Sequence, residues 1–214
     1  MIRLLIADDH EIVRSGLRCL LEGKNNITVI AEAITGEDAV RLAQTLKPDV
    51  ALMDLNMPNT DGFTASLQLR KLVPEQKILV ISGQEDLFTP ICLLKSGILG
   101  YISKGTDPDM LVNAIKTVHA KKQYYQDHKF LMTSIMSSPF EQLTAREMQI
   151  TLMTIRGMES PTIAEKLFLT SKTVQKTVRN ILKKLDLDRI IQIVPLAIQY
   201  KLIDPNAFQV ESEM

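Results

Sequence analysis

The sequence lacks a surplus of charge of either sign: its 214 residues hold 25 Lys+Arg and 25 Asp+Glu, a formal net charge of zero. That balance excludes a wholly basic nucleic-acid coat protein and a chain that is one acidic disordered tail. Cysteine is scarce. Cys19 and Cys92 stand far apart with no metal-ligand or redox spacing, so a disulfide framework is excluded and reduced thiols in a cytoplasmic setting are expected. Long apolar runs are missing as well. The first one, Met1–Ala7, meets Asp8 and Asp9 far short of the roughly 20 residues that span a bilayer, so neither a signal peptide nor a membrane partner is expected. What remains, 45% apolar and 23% charged residues, is enough for a folded core.

Residues 1–121 alternate short apolar strands with segments of helical period, the pattern of βα units around a parallel sheet. Strands are predicted at Ile2–Ala7, Ile27–Ala33, Asp49–Met53, Lys77–Ile81 and Leu99–Ile102, giving a doubly wound, five-stranded α/β domain of flavodoxin-like order. Between them, Ile12, Leu17, Leu20 and Leu21 of Glu11–Glu22, and Leu111, Ile115 and Val118 of Pro108–His119, fall at helical spacing. Residues 122–140 read as a linker with a short helix near Lys129–Met136. Residues 141–203 read as four helices, and 204–214 as a frayed tail. In the helical part Thr144-Ala145-Arg146-Glu147 is a capping box with Leu143 and Met148 as its staple. Ser160 caps a helix that opens on Pro161, a third helix runs from Ser171 to about Leu185, and a fourth covers Asp188–Lys201. Pro195 falls inside that last helix, where it is expected to remove a hydrogen bond and kink it.

In an open parallel sheet, functional groups gather beyond the carboxyl ends of the strands. Those ends carry Asp8 and Asp9, Asp54, Ser82 and Lys104. With the first and third strands adjacent, three carboxylates converge with an ammonium and a hydroxyl. Carboxylates so crowded call for a cation or a raised pKa, and a hard ion such as Mg²⁺ takes oxygen ligands and leaves a face for phosphate. One carboxylate can then attack phosphorus to form an acyl phosphate. His10 reads as a loop residue leading into a helix.

Asp8-Asp9, then Asp54-Leu55-Asn56-Met57-Pro58-Asn59-Thr60-Asp61-Gly62, then Ser82, Tyr101 and Lys104 resemble, in order, the motif set of a two-component receiver domain. The resemblance implies that Asp54 is phosphorylated and that Asp9, Asp54 and the backbone carbonyl of Asn56 hold Mg²⁺, Asp8 supporting through water. It further implies that Lys104 pairs with the phosphoryl group while Ser82 and Tyr101 form the readout. An aspartyl-phosphate phosphatase is the rival reading. It needs an acid two residues after the nucleophile, where this chain has Asn56, so no enzyme turnover is expected.

The charge balance is uneven along the chain, for residues 141–203 hold ten Lys+Arg against six acids. Along Ser171–Leu185, Val174, Val178, Ile181 and Leu185 form an apolar stripe, while Lys172, Gln175, Lys176, Arg179 and Lys183 share the opposite side. A helix basic on one face and preceded by a short helix and tight turn suits the major groove of double-stranded DNA. Leu143–Glu147, Gly157, Ile163–Leu167, Thr170–Val174 and Asn180–Leu185 resemble the LuxR-type helix-turn-helix. Together the two resemblances identify the NarL/FixJ class of response regulators, most similar to the GacA/UvrY type. They imply contacts to DNA from Lys172, Thr173, Gln175, Lys176, Arg179 and Lys183. They also imply a sensor histidine kinase or phosphotransfer protein as partner, and a homodimer when phosphorylated or DNA-bound. Ile190, Ile193, Val194 and Ala197 are the candidate dimer face. A regulator of the same fold that acts without phosphate stays open as an alternative.

Overall fold

The computed structural model describes residues 1–23, 26–58, 60, 62–83, 88–125, 136, 138–200 and 202–203. The chain forms two compact units, one of residues 1–84 and 97–126, the other of 85–96 and 127–214.

The first unit is a parallel sheet of order β2-β1-β3-β4-β5-β6. Its strands are β1 (Ile2–Ala7), β2 (Ile27–Ala33), β3 (Val50–Asp54), β4 (Lys77–Ser82), β5 (Gly100–Ser103) and β6 (Tyr124–Tyr125). Helices α1 (Glu11–Leu21), α2 (Gly36–Leu46), α3 (Gly62–Leu72) and α5 (Pro108–His119) connect them. Leu17 and Leu21 of α1 and Leu111, Ile115 and Val118 of α5 share a core with Leu4, Ile6, Leu52, Leu79 and Ile102 of the strands. Ile12, counted with the apolar stripe of α1, instead stands 88% exposed.

The sixth strand is the difference from expectation. After α5, Lys121 takes a left-handed turn (φ 58) and the Lys122 N–H donates to the Thr117 carbonyl at 3.1 Å. The reversal lets the Tyr124 N–H reach the Leu99 carbonyl at 2.9 Å, while the Tyr125 hydroxyl donates to the Ile98 carbonyl at 2.9 Å. Burial pushes the Tyr125 phenol above its ordinary range. Gly100 permits this closure, since a Cβ there would stand 2.7 Å from side-chain atoms of Leu79 and Val118 and 3.2 Å from the Tyr124 carbonyl. Two residues are too few to show strand alternation, so the stretch read as linker. The short helix read near Lys129–Met136 lies, but for its last residue, outside the described residues, as does the 204–214 tail.

The second unit holds α4 (Phe88–Lys95), a 3-10 turn at Pro139–Gln142, α6 (Ala145–Ile155), α7 (Ser160–Lys166), α8 (Ser171–Leu185), a 3-10 turn at Ile190–Gln192, and α9 (Ile193–Gln199). Within it, Arg156 donates to the Thr89 hydroxyl at 3.0 Å, and Lys95 donates to the carbonyls of Glu141 and Leu143 at 2.6 and 2.8 Å. The capping box forms as read: the Glu147 N–H donates to Thr144 Oγ1 at 3.2 Å and the Thr144 N–H to Glu147 Oε2 at 2.8 Å, with Leu143 and Met148 both buried. Ser160 is the first residue of α7 rather than its cap. Glu159 holds the cap position and Pro161 follows within the first turn.

Pro195 does not interrupt a helix. The chain enters through the 3-10 turn and α9 starts at Ile193, so Pro195 sits in the first turn, where a backbone N–H has no intrahelical acceptor. Ile193 and Ala197 are buried in the core of the unit, while Ile190 is exposed and Val194 half-buried.

Glu147 also accepts from the Lys184 ammonium at 2.7 Å, joining the start of α6 to the end of α8. Burial raises the Glu147 carboxyl, but hydrogen bonds from Lys184 and Thr144 outweigh it and hold the pKa below the ordinary 4.5. A lowered carboxyl adds stability above its unfolded pKa and loses it as pH falls through the folded value. Glu147→Ala is expected to cost about 1–2 kcal/mol at pH 7, read as a lower urea midpoint. The deficit should shrink below pH 4.5, and an equal deficit at all pH values would contradict this role.

Candidate functional sites: an acidic pocket and a basic helix

Strand register builds the pocket. β1 pairs with β3 so that Ala7 lies beside Met53, which brings Asp8 next to Asp54 at the carboxyl edge, and β4 pairs with β5 so that Ser82 lies beside Ser103, with Lys104 following. Asp8, Asp54 and Ser82 are fully buried, and Asp9 is partly exposed. The Lys104 ammonium lies 2.8 Å from Asp8 Oδ2 and 2.9 Å from Asp54 Oδ2, and its backbone N–H donates to the Ser82 carbonyl at 2.9 Å.

Gly62 sets the close approach beside Asp54. Its N–H donates to the Leu55 carbonyl at 2.9 Å, and a Cβ would stand 1.6 Å from the Asp54 carbonyl oxygen, so α3 can begin there only on glycine. Burial pushes the Asp54 carboxyl above the usual carboxylate range, with Lys104 opposing the shift and the charge of Asp8 adding to it. For Lys104 burial acts downward, but hydrogen bonds to Asp8 and Asp54 outweigh it and raise the ammonium above its ordinary value.

One ammonium faces three carboxylates, and the buried Asp54 Oδ1 has no hydrogen-bond partner among the described residues. Ligand atoms of Asp8, Asp9, Asp54 and His10 lie within 4.8 Å of one another, a cluster able to hold a metal ion. The oxygen-rich donors and the orphaned buried oxygen fit a hard divalent cation. His10, read as a loop residue leading into a helix, stands at the cap position of α1; its Nδ1 lies 2.8 Å from Asp9 Oδ1 and its N–H donates to Asp8 Oδ1 at 2.9 Å. Nothing in a single histidine after two aspartates signals that placement. Tyr101 is buried, and it stands in register between Val80 and Tyr125, so it is not on an edge strand.

The other candidate site lies on α8. Thr170 caps the helix by accepting the Thr173 N–H at 3.2 Å, and Asp186 ends it in a left-handed turn. Val174, Val178, Ile181 and Leu185 are buried, while Lys172, Thr173, Gln175, Lys176, Arg179 and Lys183 are exposed. Asn180 is exposed with them. Lys184 is held by Glu147, and Arg146 is turned inward to donate to the Leu167 carbonyl and Gln149 Oε1, both at 2.8 Å, which fixes the turn ahead of α8.

Residues 4–116 match the family model described as response regulator receiver domain, and residues 141–197 match bacterial regulatory proteins, luxR family. The chain is 34% identical to the response regulator GacA of Pseudomonas viridiflava over 97% of its own length and all of that protein's. It is likewise 34% identical to the response regulator UvrY of Escherichia coli K12 over 94% of its length and 96% of that protein's. The chain belongs to the two-component response regulators. It joins a receiver domain to a LuxR-type DNA-binding domain.

Among solved structures, a LuxR-family response regulator from Aurantimonas sp. SI85-9A1 is 32% identical with a TM-score of 0.56, covering 58% of this chain and 89% of that one. RcsB from Salmonella enterica serovar Typhimurium, bound to promoter rprA with the phosphomimetic BeF3⁻, shares the fold with a TM-score of 0.71 at 24% identity, covering 91% and 97%. Among the described residues, no helix of this response regulator is long and apolar enough to cross a membrane.

The raised Asp54 carboxyl carries a sign that can be measured. Its ionised form is less favourable in the fold than in the unfolded chain, so stability falls as pH rises from the ordinary 3.8 through the folded pKa. Asp54→Asn removes that penalty: without metal at pH 7 the receiver's Tm should rise by about 2–4 °C. The gain should vanish below pH 3.8. A variant no more stable than wild type at pH 7 would contradict the buried, under-neutralised carboxylate.

Proposed function

We propose that this response regulator receives a phosphoryl group on Asp54 from a sensor histidine kinase or phosphotransfer protein and thereby controls its own binding to double-stranded DNA in the cytoplasm. The observation that carries the proposal is the buried Asp54 carboxylate beside Lys104 in a chain that also bears the exposed basic face of α8. Residues 1–121 together with strand β6 at Tyr124–Tyr125 would serve as receiver, the rest of 122–140 as linker and 141–203 as DNA-binding domain.

Asp9, Asp54 and the Asn56 carbonyl would hold Mg²⁺, whose charge offsets that of the phosphoryl oxygens, with Asp8 supporting through water. Asp54 attacks phosphorus, the P–N bond of the donor phosphohistidine breaks, and the imidazole leaves with its electron pair and takes a proton. Lys104 neutralises an equatorial oxygen of the group in flight. Asn56 carries no acid to serve a leaving group, so the acyl phosphate acts as a signal, not as a step in phosphatase turnover. Ser82 and Tyr101 read it: the hydroxyl moves to the phosphoryl oxygen and the aromatic ring follows. Arg179, Lys172, Lys176 and Lys183 contact phosphates and bases together with Gln175 and Thr173. Of the dimer candidates, Ile190 and Val194 keep surface to offer, joined by the 72% exposed Ile191.

Two measurements test this reading. Beryllofluoride with Mg²⁺ should tighten binding to the chain's own operator DNA in wild type and leave Asp54→Asn unchanged; equal binding by both proteins in all conditions would favour a regulator independent of phosphate. Arg179→Ala should weaken DNA binding and reduce the salt slope of log K by about one. An unchanged slope would remove Arg179 from the groove-facing side.

A further inference from the structure

Asp8 and Asp9 lie on the connection from β1 to α1, and their placement depends on what holds that connection. Helix α1 has no side-chain cap at His10. Instead the Asp8 N–H extends the β1–β2 ladder to the Ala33 carbonyl at 3.1 Å, and the Arg14 Nη1 donates to the Asp8 carbonyl at 2.9 Å. The Arg14 side chain is only 13% exposed, and its Nε pairs with Glu32 Oε2 at 3.2 Å. Glu32 lies on β2 in register with Ile6, two residues before Asp8, and its other oxygen accepts from Arg18 Nε at 2.6 Å. Arg18 in turn meets Glu22 at 3.0 Å.

We infer that Arg14 and Glu32 are positioning residues for the acidic pocket: Glu32 orients the Arg14 guanidinium, and Arg14 holds the Asp8 backbone so that the Asp8 and Asp9 carboxylates face Asp54. This rests on the pocket binding a divalent cation as proposed above. The planar fork suits the task because one guanidinium bonds a carboxylate through Nε and a carbonyl through Nη1, which a single ammonium cannot reproduce in the same geometry. Partners that orient metal ligands from outside the coordination sphere alter affinity without touching the ion.

The test is Mg²⁺ titration of the full chain by calorimetry, with thermal melts run alongside. Arg14→Ala should weaken Mg²⁺ binding about tenfold in protein that is still folded, and Glu32→Gln should weaken it in the same direction by less. Acetyl phosphate labelling of Arg14→Ala should be slow at low Mg²⁺ and recover at saturating Mg²⁺, a split that mere loss of stability does not produce. Should Arg14→Ala fail to fold, Arg14→Lys and Glu32→Gln decide. Wild-type affinity in folded variants would overturn the inference and leave the pocket reading standing. A wild type that binds no Mg²⁺ would overturn both.

Discussion

The receiver depends on an imbalance of charge at the end of its sheet. One ammonium, Lys104, stands within 2.9 Å of two fully buried carboxylates, and a third carboxylate lies beside them. A core designed for stability alone would not bury this arrangement, since each desolvated charge left short of partners costs free energy. The fold tolerates it because parallel strands in fixed register, Gly62 against the Asp54 carbonyl and the Arg14 contact to Asp8 leave the acids no way to separate. The strain is electrostatic, and the excess negative charge is of the kind that a bound divalent cation offsets.

In the helical unit, polar groups near α8 have a different part. Lys184 and Arg146 look in sequence like further positive charge for DNA, but one neutralises Glu147 at the capping box and the other holds the Leu167 carbonyl ahead of the turn. They place the basic face; Lys172, Lys176, Arg179 and Lys183 remain exposed on it. The net charge of zero conceals this division between charges that build and charges that face outward.

Much of this was legible in the residues. Strand ends carrying Asp8, Asp54, Ser82 and Lys104 follow directly from β-rich runs stopping at polar residues, and the capping box at Thr144 was readable because its two partners are local. What escaped depended on contacts distant in sequence or on phase. Strand β6 has only two residues and owes its existence to the turn at Lys121 and to the missing side chain of Gly100. Of the candidate dimer face, Ile193 and Ala197 lie buried within the helical unit, and the start of α9 at Ile193, five residues later than the apolar pattern suggested, makes Pro195 harmless. His10 joined the pocket rim without any pattern to announce it, and Arg14 and Glu32 are eighteen residues apart with no spacing rule between them.

The proposed regulation turns on acceptance of the phosphoryl group by the crowded carboxylate at position 54. Incubating the full chain with acetyl phosphate and Mg²⁺, reducing the product with borohydride and mapping the peptides tests it most directly. Conversion is expected at Asp54 alone and is abolished by omitting Mg²⁺. Conversion at another residue, or none in folded protein, would contradict it.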